Sequence, residues 1–333
     1  MFVLFCALGI CTTANAGPGP NGIALGLYYK TPQEASKYAQ MVDEIARTGA
    51  SHISIVTLWG MEDVRSSSIR PHPVETPKDE VVRDVIRVAT ARGLRVMLFP
   101  ILWLDKRAPG EWRGKLAPRE PSEWWKSYRR YILHFARLAA EEGVALYSIG
   151  SELSSMESHV SEWRSLSRAV RRLYKGRLVY SANWDHFKNI EFWDAVDVVG
   201  LTGYYRLTDS MTPTVSELTA AWRPIKEDLL AWSKSLNRDF IFTEVGYPSI
   251  DGAAHSPWDY TTGKALDLDE QRVCFEAFRR TWVAEGRLAG VFFWNWWGPP
   301  DGQNHWYTPR GKPAAGEIVK WMKARIPQMR PQK

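Results

Sequence analysis

The strongest constraint on what this chain can fold into is a repeat. Eight short runs rich in Val, Ile and aromatic residues start near Ile23, His52, Leu94, Ala145, Leu178, Asp197, Phe240 and Ala289, and stretches of helical period lie between them. Their mean spacing of about 38 residues suits one strand, one helix and two loops per unit. Thr31-Pro32, Thr76-Pro77 and Pro121-Ser122 read as helix starts before helices over 33–48, 78–92 and 123–142. Strict alternation of strand and helix implies parallel strands with right-handed crossovers. Eight such units fit the closed (β/α)8 TIM barrel, an α/β fold, better than an open doubly wound sheet. No GxGxxG follows the first run and no Gly-rich phosphate loop is present, so the nucleotide-binding α/β folds lose their main support.

Residues 1–16 stand apart. Met1–Ala16 carries no charge and ends in Ala14-Asn15-Ala16, a small-x-small pattern, so it reads as a cleaved signal peptide that sends the protein to the periplasm or outside the cell. Cys6 and Cys11 would leave with it. The mature chain then keeps Cys274 alone, on the apolar side of a helical pattern, where a buried inert thiol is expected. No composition break interrupts 17–333, which reads as one barrel domain, expected to be a monomer. No run of 18 apolar residues is present, so no membrane span is expected in the mature form.

In such a barrel, function sits at the C-terminal strand ends and the loops after them. The residues there are Tyr28, Tyr29, Trp59, Trp103, Glu152, Asn183, Trp184, Tyr204, Tyr205, Glu244, Trp294, Trp296 and Trp297. Two of them are carboxylates: Glu152 closes the fourth run and Glu244 the seventh. An ionised side chain at the rim of a barrel core is costly to desolvate unless it is paired or functional, so two converging on one mouth suggest acid and base work. Cleavage of a glycosidic bond needs such a pair.

Tryptophan is the second signal. Of the 17 in the chain, Trp59, Trp103, Trp112, Trp184, Trp258, Trp294, Trp296, Trp297 and Trp306 fall at strand ends or in the loops that follow. Their flat faces match the C–H faces of pyranose rings, although rim packing would use them equally well. Trp124, Trp163, Trp222 and Trp282 lie in helical stretches, where packing between helix and sheet is the expected role.

Other chemistries find less support. His52, His72, His134, His159, His186, His255 and His305 include no HExxH pair, and no CxxC occurs, so neither a metal nor another cofactor is expected. Gly150-Ser151-Glu152 is not a GxSxG elbow. The excess of 43 Lys and Arg over 37 Asp and Glu offers mild attraction to anionic polymers. The basic residues Arg164, Arg168, Arg171, Arg172, Lys175 and Arg177 recur along one helical stretch, which reads as a solvated outer face and not as a nucleic-acid surface. The residues by themselves leave three readings: a β-glycosidase acting on a polysaccharide, a hydrolase of a cell-wall or peptidoglycan-type glycan, and a non-catalytic carbohydrate-binding barrel.

Several segments resemble the glycoside hydrolases of clan A, and within it family 113, whose characterised members are endo-β-1,4-mannanases. They are Ile149-Gly150-Ser151-Glu152-Leu153-Ser154-Ser155, Ser181-Ala182-Asn183-Trp184-Asp185, Phe192-Trp193-Asp194-Ala195-Val196-Asp197, Ala221-Trp222-Arg223-Pro224-Ile225-Lys226 and Phe242-Thr243-Glu244-Val245-Gly246-Tyr247. The resemblance implies a retaining double displacement on β-1,4-mannan or glucomannan, with Glu152 as acid/base and Glu244 as nucleophile. It also implies that Tyr204 or Tyr205 hydrogen-bonds Glu244 and keeps its pKa low while that of Glu152 stays raised. Trp294 would floor the subsite next to the cleaved bond, with Asn183 and Trp184 on its wall. One position departs from the clan. Ser151 stands where most members carry the Asn that contacts the sugar 2-hydroxyl, which leaves that contact to another residue such as Asn183.

Overall fold

The computed structural model describes residues 19–28, 32–259 and 264–325, so the leader-like Met1–Ala16 and Tyr29 lie outside the described residues. Eight parallel strands close into a barrel in the order β1 to β8. They are β1 (Asn21–Gly26), β2 (His52–Met61), β3 (Arg95–Leu104), β4 (Leu146–Ser151), β5 (Arg177–Ala182), β6 (Val198–Thr202), β7 (Phe240–Val245) and β8 (Leu288–Phe293). Closure is made where Asn21, Gly22 and Ile23 pair with Val291, Phe292 and Phe293. No helix among the described residues is long and apolar enough to cross a membrane.

The helices follow the sequence pattern in all but one unit. They are α1 (Pro32–Arg47), α2 (Asp79–Ala91), α3 (Pro121–Glu141), α4 (Val160–Leu173), α5 (Val215–Leu236), α6 (Leu268–Trp282) and α7 (Ala314–Arg325). Pro121 opens α3 at a position where its missing N–H costs nothing. Thr214 and Glu217 form a reciprocal capping box on α5, and Asp267 caps α6 through the Glu270 amide. Between β5 and β6 the expected helix is missing. Two short 3-10 turns, Phe187–Asn189 and Trp193–Ala195, make that crossover. Aromatic rings fill the place of the helix: Phe192 stacks on Trp163 of α4 at 5.0 Å, and Phe187 and Trp193 pack on Trp232 of α5.

The core has two layers. Ala24, Val56, Met97, Phe99, Leu146, Val179, Val198, Ile241 and Phe292 fill the barrel, drawn from all eight strands. A larger apolar layer, holding the fully buried Trp124, Trp163, Trp222 and Trp282, joins helices to sheet, and Cys274 is buried there as a free thiol. The basic residues of α4 face outward, with Arg164 paired to Asp194 and Arg171 to Asp197.

Three irregularities prepare the C-terminal mouth. The β4–β5 register shifts between Ser148 and Ser151, the β6–β7 register between Leu201 and Thr202, and the β7–β8 register between Phe242 and Val245. Bulges of this kind re-aim the side chains beside them. Gly246, just after β7, has no room for a side chain: a Cβ there would lie 2.5 Å from the Trp294 carbonyl oxygen. The ends of β7 and β8 therefore approach closely where Glu244 and Trp294 emerge.

Candidate active site

A cleft of about 1130 Å³ opens at the C-terminal mouth of the barrel, and it is lined by residues from most of the strand ends. Glu152 and Glu244 both line it, 6% and 2% exposed. Their surroundings differ. Glu152 follows β4 with a backbone φ of 54°, left-handed for a residue that is not glycine, a conformation that costs about 1–3 kcal/mol. Its amide donates to the Ser181 carbonyl, and its Oε2 lies 2.5 Å from Nη2 of Arg113. Arg113 comes from the loop between β3 and α3, in a short turn of residues 113–115.

Glu244 sits within β7. Its Oε2 accepts a 2.8 Å hydrogen bond from the Tyr204 hydroxyl, and its Oε1 is buried with no protein partner among the described residues. Burial pushes the Glu244 carboxyl up to about 8, and the nearby charge of Glu152 adds to that. The Arg113 guanidinium and the Tyr204 hydrogen bond pull the other way and are outweighed. The expected tyrosine contact is present and acts in the lowering direction, but desolvation outweighs it, so the carboxyl stands above the usual carboxylate range. Of the two candidates it is Tyr204 that reaches Glu244. Tyr205 lies behind the wall, where its hydroxyl donates to the Trp184 carbonyl at 3.0 Å.

The wall after β5 is fixed from several sides. Asn183 Nδ2 donates to Asp185 Oδ1 at 2.5 Å, and the Thr202 hydroxyl, 3.5 Å from Asn183 Oδ1, also accepts from the Trp184 amide. Beneath it, the buried Glu157 binds the Tyr180 hydroxyl at 2.7 Å and His186 Nδ1 at 2.5 Å, tying the segment after Glu152 to the segment after Asn183. Trp184 stacks on Trp258 with centroids 5.7 Å apart. Across the cleft Trp297 stacks on Trp306 at 4.5 Å and meets Tyr28 at 4.8 Å. Trp306 is held by buried Lys312, whose Nζ donates to the Trp306 carbonyl and to Asn304 and Ser249. Trp103, 36% exposed, lines the same cleft with Arg107 over its ring, and Trp294 contributes from the end of β8.

Three expected binding residues do not line the cleft: Tyr205, behind the wall, and Trp59 and Trp296. Leu58 lines it, so its neighbour Trp59 points to the opposite face of β2 and packs on Tyr131, His134 and Phe135 of α3. Trp296 turns away likewise: its indole donates to Glu44 of α1 at 2.9 Å, while Trp294, Asn295 and Trp297 line the cleft. Arg113, Asn295 and Asp185 also line the cleft without having been named as binding residues, and Trp112, Trp258 and Trp306, offered among the strand-end tryptophans, line it as well. The tryptophans were visible as strand-end aromatics, but nothing in the sequence separates Arg113 from other loop cations.

Two carboxyls on a shared aromatic groove, one against a guanidinium and the other buried under a phenol, supply the groups that acid-assisted cleavage of a glycosidic bond requires. The model of Glycoside Hydrolase Family 113 matches residues 27–305. The chain belongs to glycoside hydrolase family 113. Family 113 structures resemble it over nearly their whole length. The β-mannanase of Alicyclobacillus acidocaldarius, solved in complex with ManMIm, is 24% identical, with a TM-score of 0.82, covering 92% of this chain and 98% of that one. Another family 113 β-1,4-mannanase is 25% identical at a TM-score of 0.79, covering 92% of this chain and 99% of that one. More distant is the endo-1,4-β-D-mannanase of Thermotoga petrophila, 11% identical at a TM-score of 0.61, covering 92% and 99% of the two chains. No curated protein matches the sequence. The protein is accordingly a glycoside hydrolase.

Proposed function

We propose that this enzyme hydrolyses β-1,4-mannan or glucomannan internally, with retention of configuration, using Glu244 as nucleophile and Glu152 as acid/base. The observation that carries this reading is the pairing of two buried strand-end glutamates in one cleft flanked by stacked tryptophans. In the first step a Glu244 oxygen bonds to the anomeric carbon, the bond to the leaving oxygen breaks, and Glu152 gives that oxygen a proton. In the second, Glu152 takes a proton from water, the water oxygen bonds to the anomeric carbon, and the electron pair of the broken ester returns to Glu244.

Proton placement follows from the environment. The pair retains one proton up to about pH 8, the range to which burial lifts Glu244. Reaction requires that proton on Glu152. Tyr204 supports the shift by hydrogen-bonding the Glu244 carboxylate, and a sugar hydroxyl donating to the open Oε1 would support it further. Electron-poor positive charge developing at the anomeric carbon acts in the same direction.

The test is reducing-sugar release from glucomannan, galactomannan, xylan, cellulose, chitosan and peptidoglycan, with Glu152→Gln as the blank. The product anomer is followed by proton NMR in the first minutes. Release from the mannans with the β-anomer formed first is expected. Release from another glycan would remove the substrate, and initial α-anomer would remove the mechanism. We further propose export, on the leader-like Met1–Ala16. N-terminal sequencing of the secreted protein should begin at Gly17.

A further inference from the structure

The polar side chains around the two glutamates are mostly committed to one another. Asn183 is engaged by Asp185 and Thr202, Tyr204 by Glu244, and Arg113 by Glu152. Ser151 has a buried hydroxyl with no partner among the described residues, but it does not line the cleft. Asn295 combines the two properties. It lines the cleft and is 2% exposed, yet among the described residues its Oδ1 meets no donor. Its Nδ2 donates to the Tyr28 hydroxyl at 3.1 Å, which leaves Oδ1 as the amide atom without a partner among the described residues. Buried amide oxygens are rarely left without a donor, and one at the wall of a ligand cleft is open to a donor on the ligand.

Its position limits what that donor is. Asn295 follows Trp294, whose amide donates to the Val245 carbonyl at 2.7 Å, so the amide stands beside the strand end that carries Glu244. Tyr28, which holds it, lies against Trp297, and Trp297 stacks on Trp306. Asn295 therefore lines the cleft beside these aromatic rings, at the strand end neighbouring the one that carries Glu244. A pyranose presents C–H groups to such rings and hydroxyl donors at its rim.

We propose that Asn295 is a specificity-determining residue, whose Oδ1 accepts a hydrogen bond from one hydroxyl of the sugar ring held beside Glu244. This rests on the glycosidase reading and adds to it a named reader of substrate stereochemistry. A site built to bond a hydroxyl rejects the analogue lacking it, because the protein group is then left buried and unpaired.

The test crosses protein and substrate changes. Aryl β-mannobiosides deoxygenated singly at C2, C3 or C6 of the ring beside the aglycone are compared with the parent on wild type and on Asn295→Ala. The wild type should lose about a hundredfold in kcat/KM on one analogue beyond the effect seen with the others. Asn295→Ala should lose a similar factor on the parent and discriminate little between the parent and that analogue. An equal loss on every analogue, or no loss at all, overturns the proposal, because a packing role does not single out one hydroxyl. If Asn295→Ala does not fold, as judged by circular dichroism, Asn295→Ser is read by the same criteria. If the wild type cleaves a different β-glycoside, the substrate reading falls, and the same cycle run with deoxy analogues of that glycoside still decides the role of Asn295.

Discussion

The two strand ends that carry glutamates handle a buried carboxyl in different ways. At β4 the backbone is bulged, Glu152 is held with a left-handed φ, and a guanidinium from a neighbouring loop meets its charge directly. At β7 Glu244 stays in the strand, is buried almost completely, and receives one phenolic hydrogen bond. One site answers charge with charge. The other leaves the charge largely unanswered, and its carboxyl climbs to about 8 as a result. A proton shared by such a pair can be moved by what enters the cleft, which a pair with two equal counter-ions would resist.

The largest expected effect separates the two ends by chemistry. Glu244→Ala should lower kcat by at least about 10⁴-fold on every substrate, with azide or formate restoring turnover and giving an inverted product. Glu152→Ala should keep formation of the glycosyl-enzyme from aryl glycosides with good leaving groups. Rapid-quench assays and product NMR distinguish the two, and identical behaviour of both variants would erase the distinction drawn here.

Next come the groups that restrain Glu244. Tyr204→Phe and Arg113→Met each remove an influence that lowers its pKa. The alkaline limb of kcat/KM against pH should therefore move upward in both, while kcat falls about tenfold to a hundredfold in Tyr204→Phe. An unmoved limb in either variant would mean that the contact serves packing alone.

Stability provides a third measure. The folded pKa of Glu244 is raised, so its contribution to stability is fully present below about pH 4.5 and is lost as pH rises through about 8. Glu244→Gln should melt about 5 °C or more above wild type at pH 9, with the gap closing at pH 4. Scanning calorimetry at both pH values checks the sign. The smallest effect tests the cleft boundary: Trp258→Ala should raise KM for mannan severalfold, whereas Trp59→Phe should leave KM unchanged, since Trp59 packs on α3 outside the cleft.

Much of this molecule was legible before any coordinates. The alternating runs gave a closed parallel barrel, and that architecture alone turned Glu152 and Glu244 from two acids among many into residues of one mouth. The missing helix was visible in the short distance from Leu178 to Asp197, but averaging the intervals concealed it. Facing was harder to read. Trp59 and Trp296 lie within a residue or two of true cleft residues: Trp59 is turned to α3 within a regular stretch of β2, whereas Trp296 lies beyond the last ladder pair of β8, where a turn decides which side the ring takes. Arg113 was beyond reach, because its partner lies on another strand end and only the folded loop between β3 and α3 brings them together.

The aromatic infill between β5 and β6 carries a consequence for how the cleft breathes. The wall bearing Asn183 and Trp184 is held by buried rings, by Thr202 and by Glu157, while its backbone has isolated turn bonds in place of a helical ladder. Dense side-chain packing and sparse amide protection are thus combined in one segment. Amide hydrogen exchange should find the span 183–197 exchanging earlier than the crossovers built on helices, and a sugar seated against Trp184 should slow it, so that occupancy of the groove is recorded in the one stretch of wall that lacks a helix of its own.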